Sequence, residues 1–313
     1  MSFFLGIDAG GTKTECVLAD SSGMILARGA GGPANLRRTP AAILQESLRA
    51  AVMTALHNAS LPAIELEAVC AGFAGAGRAD ARAPARRMLA ELTHARHLFI
   101  VGDMEVALEA AVGAGRGVIL VAGTGSIAYG RNDFGRQARA GGHGPERSDE
   151  GSATDSGRRA VEVAVEAGRK STHASPLARA LCEQLGLANT EDLKPLVRGH
   201  QGNADWAALF PAVVSAARQG DAEALAVLHA AGDALAGLAQ KVLQVLELKE
   251  TDTLVAVTGG VFSGSAEVFH QVEQRLRVWS PLIRVALLSR TPAEGAVLLA
   301  QRLWLQEGAG AVR

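Results

Sequence analysis

The chain has 313 residues, of which 48% are hydrophobic and 20% are charged, and its 31 basic and 32 acidic side chains give a net charge of -1. This length suggests two domains, each with enough apolar residues to bury a core. A near-neutral chain lacks the excess positive charge that binds phosphate backbones, so we expect neither a nucleic-acid nor a membrane partner. Small-molecule chemistry fits the composition better.

The N-terminus and the cysteines predict a cytoplasmic protein. No basic segment precedes the short apolar run Phe3 to Ile7, and no run reaches the roughly 18 apolar residues of a membrane helix. Cys16, Cys70 and Cys182 are scattered in apolar surroundings without a pair at metal-ligand spacing. We therefore predict buried thiols in a reducing compartment.

The first half alternates between predicted strands and predicted helices. Apolar runs between turn residues predict strands at Phe3 to Ile7, Cys16 to Ala19, Met24 to Gly29, Ala68 to Ala74 and His97 to Val101. Apolar residues at helical spacing predict helices at Thr39 to Ala59, Ala81 to Leu92 and Met104 to Gly113.

The second half repeats the opening pattern of the first. The apolar strand Val118 to Ala122, the turn Gly123 to Ser126 and the strand Ile127 to Gly130 match the strand, glycine turn and strand near the N-terminus. A repeat at about half the chain length suggests two related α/β domains, which we place at residues 1–116 and 117–313.

The remaining elements of the second half are mostly helical. They are, in chain order, a glycine-rich polar loop at Gly141 to Gly157, helices within Arg158 to Val245, a buried strand at Leu254 to Thr258, a late strand at Ile283 to Leu288 and a closing helix at Ala293 to Gln306.

The segment Asp8 to Thr14 lies where a buried strand turns sharply. Its glycines, Gly10 and Gly11, let the backbone approach an anion closely, and Thr12 and Lys13 add a hydroxyl and a cation. The P-loop pattern is excluded because a strand, not a helix, follows. We favour phosphate binding by this turn over an ordinary hairpin turn.

Two further glycine turns extend this pattern. Gly123-Thr124-Gly125-Ser126 offers free amides and two hydroxyls, and two such loops facing each other across a cleft can hold phosphates from both sides. Gly259-Gly260 follows a buried strand. Because glycine has no side chain, a base or ribose of a ligand could lie close to the backbone there. A helix entry is the structural alternative for this third turn.

Three carboxylates follow predicted strands or lie in loops. Asp103 comes just after the strand His97 to Val101, where open α/β sheets place catalytic groups and where a carboxylate could deprotonate a hydroxyl. An N-cap for the next helix is the alternative for Asp103. Asp149 and Glu150 could bind sugar hydroxyls or a metal-bound water, with solvated loop charge as the alternative.

On these motifs, the chain resembles the actin, sugar kinase and heat-shock chaperone ATPase superfamily, and within it the N-acetylglucosamine kinase and BadF/BadG/BcrA/BcrD ATPase family. The resemblance covers nearly the whole chain and rests on the three glycine turns in this order. It implies an α/β fold of two ribonuclease-H-like (actin-like ATPase) domains around an ATP-binding cleft. It also implies that the last helix packs back on the first domain.

The resemblance implies an ATP site with Mg2+ as the metal. The first phosphate loop of the family looks like Asp8 to Thr14, the second like Gly123 to Ser126, and the adenosine motif like Gly259-Gly260. Asp8 would act on the metal through water, and Asp103 matches the position of the catalytic aspartate.

The resemblance also implies a sugar site built from Asn35, Gly142 and Asp149. This site predicts phosphorylation of an amino sugar, N-acetylglucosamine to its 6-phosphate, with free glucosamine as the next candidate. A plain loop residue is the alternative interpretation of Asn35.

Departures from the family pattern leave other functions open. They fall near His143, at Arg147-Ser148 and at Thr154-Asp155, and they keep open an ATPase with a different acceptor or a sensor that binds ATP and sugar without transfer. The activator branch, with its iron–sulfur cluster, needs exposed thiolates that buried cysteines do not offer. The sequence does not define the oligomeric state, although apolar helices in the second half are compatible with a homodimer.

Overall fold

The computed structural model describes residues 2–60, 65–77, 79–142, 149–170, 174–197 and 205–310. The chain forms two compact units. Unit 1 comprises Met1–Gly115 and Leu288–Arg313, and unit 2 comprises Arg116–Leu287.

The elements up to the middle of the chain are β1 (Phe3–Ala9), β2 (Thr14–Asp20), β3 (Ile25–Gly31), α1 (Ala41–Asn58), β4 (Leu66–Phe73), α2 (Ala79–Thr93), β5 (His97–Gly102), α3 (Asp103–Val112), β6 (Gly117–Ala122), β7 (Ser126–Arg131) and β8 (Gln137–Gly141). The later elements are α4 (Ala153–Lys170), α5 (Pro176–Leu185), α6 (Lys194–Val197), α7 (Phe210–Arg218), α8 (Ala222–Val245), β9 (Thr253–Thr258), α9 (Gly260–Gly264), α10 (Ala266–Trp279), β10 (Ile283–Leu287) and α11 (Pro292–Gly310).

The sheet of unit 1 has the strand order β3-β2-β1-β4-β5. β1, β2 and β3 form antiparallel hairpins, whereas β1, β4 and β5 are parallel. The carboxyl ends of these three parallel strands therefore meet at one edge, which we call the unit 1 edge.

Helices cover both faces of this sheet. α1 packs Leu48 and Val52 on one face, and α11 packs on the other. At Gly6 in β1 the contact with α11 is so close that a Cβ atom would lie 2.2 Å from the Ala293 carbonyl oxygen. The buried Glu109 carboxylate of α3 also accepts two hydrogen bonds from Arg302 of α11, at 3.0 and 2.7 Å.

The sheet of unit 2 has the order β10-β9-β6-β7-β8, which is the order of unit 1 with the corresponding strands in the same places. β6, β9 and β10 are parallel, and β6, β7 and β8 form antiparallel hairpins. We call the edge where the parallel strands end the unit 2 edge. The repeated strand–turn–strand motif of the sequence thus corresponds to a repeated sheet.

The helix α8 is the one helix in the described ranges that is long and apolar enough to cross a membrane, with a mean hydropathy of 1.3 in its most apolar window. Half of that window is buried within the protein. Leu228, Leu235 and Leu243 of α8 are almost fully buried in the core of unit 2. Its composition is thus that of a core helix.

The structure differs from the sequence-based elements mainly between residues 137 and 157. The predicted loop Gly141 to Gly157 begins where β8 ends, at Gly141, but its end is wrong, because α4 begins at Ala153. The strand β8 was not predicted, because it is an edge strand whose exposed polar residues interrupt the apolar pattern. The helix α10, between β9 and β10, was also not predicted.

Candidate active site

The first glycine turn lies at the unit 1 edge, where β1 ends. The Gly10 amide donates to the Lys13 carbonyl oxygen over 2.9 Å, which closes the turn. Gly11, Thr12 and Lys13 are exposed. In the part of the chain that the structure describes, the Gly11 and Thr12 amides donate to no acceptor, so two backbone donors are available to an anion.

Asp8 lies near the end of β1, on the sheet face that packs against α11. Its strand neighbours in register are Gly72 and Glu15. The pKa of Asp8 is raised to about 7, first by burial and then by the negative charges of Asp103 and Glu15. The positive charge of Lys13 opposes this shift. Asp8 is therefore half-buried beside two other carboxylates, of which Glu15 also forms an ion pair with Arg28 at 3.0 Å.

These carboxylates fit the predicted magnesium ion. Mg2+ is usually bound by one or two carboxylates together with water and substrate phosphates. Among the described residues no cluster of three or more His, Cys, Asp or Glu side chains could form an all-protein metal site. A cation beside Asp8 would relieve the repulsion from Asp103 and Glu15, so the chemistry of this acidic group suits a metal shared with phosphates.

Asp103 is the first residue of α3, directly after the carboxyl end of β5. The alternative interpretation of Asp103 as the N-cap is wrong, because the extended Gly102 holds that position. Glu105 accepts a hydrogen bond from the Gly102 amide over 2.9 Å, and the Asp103 carboxylate accepts one from the Met104 amide over 3.0 Å. Asp103 therefore lies at the positive end of the α3 dipole.

Asn35 lies in the loop after β3, at the same edge. The Ala34 amide donates to the Gly10 carbonyl oxygen over 2.9 Å, which ties this loop to the first glycine turn. Asn35 Oδ1 accepts from the Arg37 amide over 2.9 Å, and the Asn35 backbone amide donates to the Thr39 hydroxyl over 3.0 Å. Within the described ranges Asn35 Nδ2 has no acceptor, so it can donate to a ligand.

The second glycine turn, Gly123 to Ser126, lies at the unit 2 edge and is held by the segment 149–154. Three hydrogen bonds join the two segments: from the Ala153 amide to the Gly123 carbonyl (2.9 Å), from the Thr154 hydroxyl to the Thr124 carbonyl (2.7 Å) and from the Ser126 hydroxyl to the Glu150 carbonyl (2.8 Å). The Thr124 and Gly125 amides make no hydrogen bond among the described residues, so they remain donors for an anion.

The two neighbouring carboxylates Asp149 and Glu150 differ in burial. Asp149 is 9% exposed and Glu150 is exposed. The Ser126 amide donates to Asp149 Oδ1 over 3.4 Å, and a Cβ atom at Gly125 would lie 3.0 Å from that oxygen. Asp149 thus contacts the second glycine turn, whereas Glu150 is exposed.

Gly142 follows β8 in a left-handed conformation, with φ of +70°. The guanidinium group of Arg139 donates to the carbonyl oxygens of Gly141 and Gly142. A Cβ atom at Gly142 would lie 2.9 Å from an Ile127 methyl, so the backbone here passes close to β7. The other predicted sugar-loop positions, 143–148, lie outside the described residues.

The third glycine turn is a site of close backbone approach. Gly259 has φ of +107°, and a Cβ atom there would lie 2.2 Å from the Ala122 carbonyl oxygen. Because Ala122 precedes Gly123, the second and third glycine turns lie side by side at the unit 2 edge. Gly260 begins α9, in line with the predicted helix entry, and has open space where a Cβ would lie.

Sequence reasoning missed several residues that shape these edges. Glu15 lies opposite Asp8 across the β1–β2 hairpin, and counting back from the turn could have placed it there. Glu105 follows Gly102 by three residues, which is the spacing of a capping interaction. Arg82 donates to the carbonyl oxygens of Ala76 and Ile100, and no sequence motif marks it.

The three cysteines are buried and free, as predicted. Burial raises the pKa values of the Cys16 and Cys70 thiols well above their ordinary value. Neither thiol is therefore a reactive thiolate at neutral pH.

Solved structures define the class of protein to which this architecture belongs. A glucokinase of the ROK family from Streptomyces griseus, solved with glucose and AMPPNP, shares the fold with a TM-score of 0.61 at 17% identity, covering 96% of this chain and 100% of that chain. The predicted fold class, with two actin-like ATPase domains, is confirmed. The molecule has the fold of the actin-like ATPases and sugar kinases.

Sequence comparison identifies the family. The profile of the BadF/BadG/BcrA/BcrD ATPase family matches residues 5–300, so the chain belongs to that family. The N-acetylmuramic acid/N-acetylglucosamine kinase of Clostridium acetobutylicum is 29% identical, over 96% of this chain and 99% of that protein. A candidate N-acetylglucosamine kinase from Chromobacterium violaceum has a TM-score of 0.71 at 28% identity, covering 96% of this chain and 99% of that chain.

Proposed function

We propose that the protein is an ATP-dependent kinase that phosphorylates N-acetylglucosamine on its 6-hydroxyl, with free glucosamine as the next candidate acceptor. The observation that carries this proposal is the position of Asp103, which begins α3 at the end of β5 and is coupled electrostatically to Asp8. A kinase needs a carboxylate for the acceptor hydroxyl close to the group that handles the metal and phosphates. The amino-sugar kinase relatives support the choice of acceptor.

In this proposal Asp103 orients the sugar hydroxyl and takes its proton as the oxygen attacks the terminal phosphoryl group of ATP. A carboxylate in that role contributes about 10²- to 10⁴-fold to the rate. Asn35 donates its free amide hydrogens to a ring hydroxyl. In unit 2, Gly142 and Asp149 are the sugar-binding residues that the family resemblance implies. Positioning supplies much of the remaining rate, since phosphoryl transfer requires little covalent chemistry from the protein.

The glycine turns bind the nucleotide in this proposal. The exposed amides of Gly11 and Thr12, with Lys13 nearby, bind phosphate oxygens at the unit 1 edge. Thr124 and Gly125 offer amides at the unit 2 edge, where Ser126 adds a hydroxyl if it exchanges its present partner. The backbone at Gly259-Gly260 leaves room for the adenosine. Asp8 would hold Mg2+ through water, and that ion would neutralise phosphate charge.

The test measures ADP release from Mg-ATP with N-acetylglucosamine, glucosamine, glucose and N-acetylmannosamine, with the Asp103→Asn variant as control. We expect turnover with N-acetylglucosamine that disappears in the variant. ATP binding without stimulation by any of the sugars would reject the kinase proposal in favour of a sensor or of another acceptor. The position of the phosphate on the product follows from NMR of the isolated sugar phosphate.

A further inference from the structure

The turn after β4, at residues 74–77, packs against the loop that carries Asn35. The Leu36 amide donates to the Ala74 carbonyl oxygen over 3.0 Å. A Cβ atom at Gly75 would lie 3.0 Å from Asn35 Oδ1, and the φ of +85° at Gly75 favours glycine. The position of this turn therefore affects the position of the asparagine in the proposed acceptor site.

Arg82 links the same turn to β5. Its Nε donates to the Ala76 carbonyl oxygen over 2.7 Å, and its Nη1 donates to the Ile100 carbonyl oxygen over 3.2 Å. β5 is the outer strand of the sheet, and Asp103 follows Ile100 by three residues. One guanidinium group therefore connects the turn that contacts Asn35 to the strand that leads to Asp103.

The helix α2 fixes the position of Arg82. Ala85 and Leu89 follow Arg82 by three and seven residues, so these side chains lie on one face of the helix. Ala85 and Leu89 are fully buried in the core of unit 1, whereas Arg82 is half-buried near the start of α2. A guanidinium group donates from several nitrogens in fixed directions, whereas a lysine amine donates from one nitrogen. Arginine therefore suits a link between two separate carbonyl oxygens.

We propose that Arg82 is a positioning residue whose guanidinium group holds Asn35 and Asp103 at the separation that phosphoryl transfer to the sugar requires. The inference rests on the proposed function, which assigns the sugar ring to Asn35 and its hydroxyl to Asp103. Reacting groups must be held within about 0.5 Å of the productive geometry, and a displacement of about 1 Å can lower the rate about 100-fold. Without the guanidinium group, the sugar still binds but its hydroxyl is displaced from Asp103.

A displaced sugar hydroxyl lets water compete as the acceptor. The water oxygen then bonds to the terminal phosphorus of ATP, the bond from that phosphorus to the ADP oxygen breaks, and the water proton passes to Asp103. The products are ADP and inorganic phosphate in place of ADP and sugar phosphate. The ratio of sugar phosphate formed to ADP released therefore reports how well the acceptor is positioned.

The test measures kcat, both KM values and this ratio, with the sugar of the panel above that gives the highest turnover. It compares the wild type with Arg82→Met, Arg82→Lys and Arg86→Met. Arg86 is the matched control, because it is an exposed arginine of the same helix with neither a hydrogen bond nor an ion pair in the described ranges. Urea unfolding and circular dichroism of each variant establish that the assays are made on folded protein.

We expect Arg82→Met to lower kcat about 10- to 100-fold and to change the KM values for sugar and ATP by less than about threefold. The ratio of sugar phosphate to ADP should fall from roughly one to below about one half. Arg82→Lys should lie between Arg82→Met and the wild type, because one nitrogen replaces two as the donor. Arg86→Met should match the wild type.

Several outcomes would overturn the inference. An unchanged ratio in Arg82→Met with a lower midpoint of urea unfolding would make Arg82 a purely structural residue. A rise in the KM for ATP as large as the fall in kcat would assign Arg82 to the nucleotide. If Arg82→Met does not fold, wild-type values of kcat and of the ratio in Arg82→Lys would reject the inference.

The wild-type protein separates these outcomes from a failure of the proposed function. In each of them the wild type still phosphorylates the sugar, so the proposed function stands. Turnover of none of the sugars by the wild type would reject the proposed function and this inference with it.

Discussion

The glycine turns of the two units have the same topology and different surroundings. At the unit 1 edge, the turn residues Gly11 to Lys13 are exposed and lie near Asp8, whose pKa is raised to about 7. At the unit 2 edge, three hydrogen bonds and a buried Asp149 hold the turn Gly123 to Ser126. Under the proposed function, unit 1 would supply the charged side chains of the reaction, and unit 2 would supply a glycine turn whose backbone conformation is fixed by hydrogen bonds. The four predictions below test this division.

The largest effect should follow from removing the proposed base in unit 1. Asp103→Asn keeps the shape of the side chain and removes its charge, so we expect kcat to fall about 10²- to 10⁴-fold. The affinity for ATP should change little, as measured by calorimetric titration. A loss of ATP binding equal to the loss of turnover would make Asp103 a metal-binding or structural residue.

The second effect should follow from forcing a side chain into the unit 2 edge. Gly259→Ala adds a Cβ atom that would lie 2.2 Å from the Ala122 carbonyl oxygen at a φ of +107°, so we expect a loss of about 2–4 kcal/mol in the free energy of unfolding. Gly260→Ala is the matched control, since a Cβ atom there has no neighbour within 4 Å. Urea unfolding measures both variants, and equal midpoints would contradict the close approach.

The third prediction concerns the effect of the raised Asp8 pKa on the stability of the fold. Between pH 4 and pH 7 the unfolded chain releases the Asp8 proton and the folded chain keeps it, because the pKa in the fold is raised to about 7. The free energy of unfolding therefore falls as the pH rises through this window and stays low above it. Asp8→Asn removes the penalty, so without nucleotide it should exceed wild-type stability at pH 8 by about 2–4 kcal/mol.

Urea unfolding of the Asp8→Asn variant at pH 4.5 and pH 8 provides the check. The two proteins should have similar stabilities at the lower pH and differ at the higher one. A variant less stable than the wild type at pH 8 would show that the Asp8 carboxylate stabilises the fold. That result would mean that the ionised Asp8 carboxylate does not destabilise unit 1.

The smallest effect should follow from loosening the second turn. Thr154→Val keeps the shape of the side chain and removes the hydrogen bond from the Thr154 hydroxyl to the Thr124 carbonyl oxygen. We expect a loss of about 1 kcal/mol in stability and a rise of roughly two- to fivefold in the KM for ATP, with kcat nearly unchanged. A fall in kcat alone would mean that Thr154 acts on the acceptor side.

Most of the fold could be predicted from the sequence, because its strands are apolar and its turns are rich in glycine. The strand order repeats where the sequence repeats, and Asp103 follows β5 as the spacing predicts. β8 escaped prediction because an edge strand with half its side chains exposed carries little apolar signal. The strand is instead defined by its hairpin pairing with β7, whose backbone hydrogen bonds leave no mark in the pattern of side chains.

The site was predicted less completely than the fold. The sequence indicated that Asp8 and Asp103 lie at strand ends, whereas Asn35 was expected at the sugar site only because of the family resemblance. It could not indicate that Asp149 would be buried against Gly125 and Ser126 while Glu150 stays exposed. That outcome depends on how the segment 149–154 folds over the second turn, which involves residues more than twenty positions apart.

The contact between Gly6 and α11 has a consequence for synthesis on the ribosome. The sheet face that carries Phe4, Val17 and Cys70 is covered by α11, whose residues follow all of unit 2 in the chain. All of unit 2 leaves the ribosome before this cover exists, so unit 2 can fold while the first 115 residues still wait for their final helix. Synthesis of unit 1 therefore starts before that of unit 2 and is completed after it, so the apolar sheet face of unit 1 lacks its covering helix while unit 2 is made.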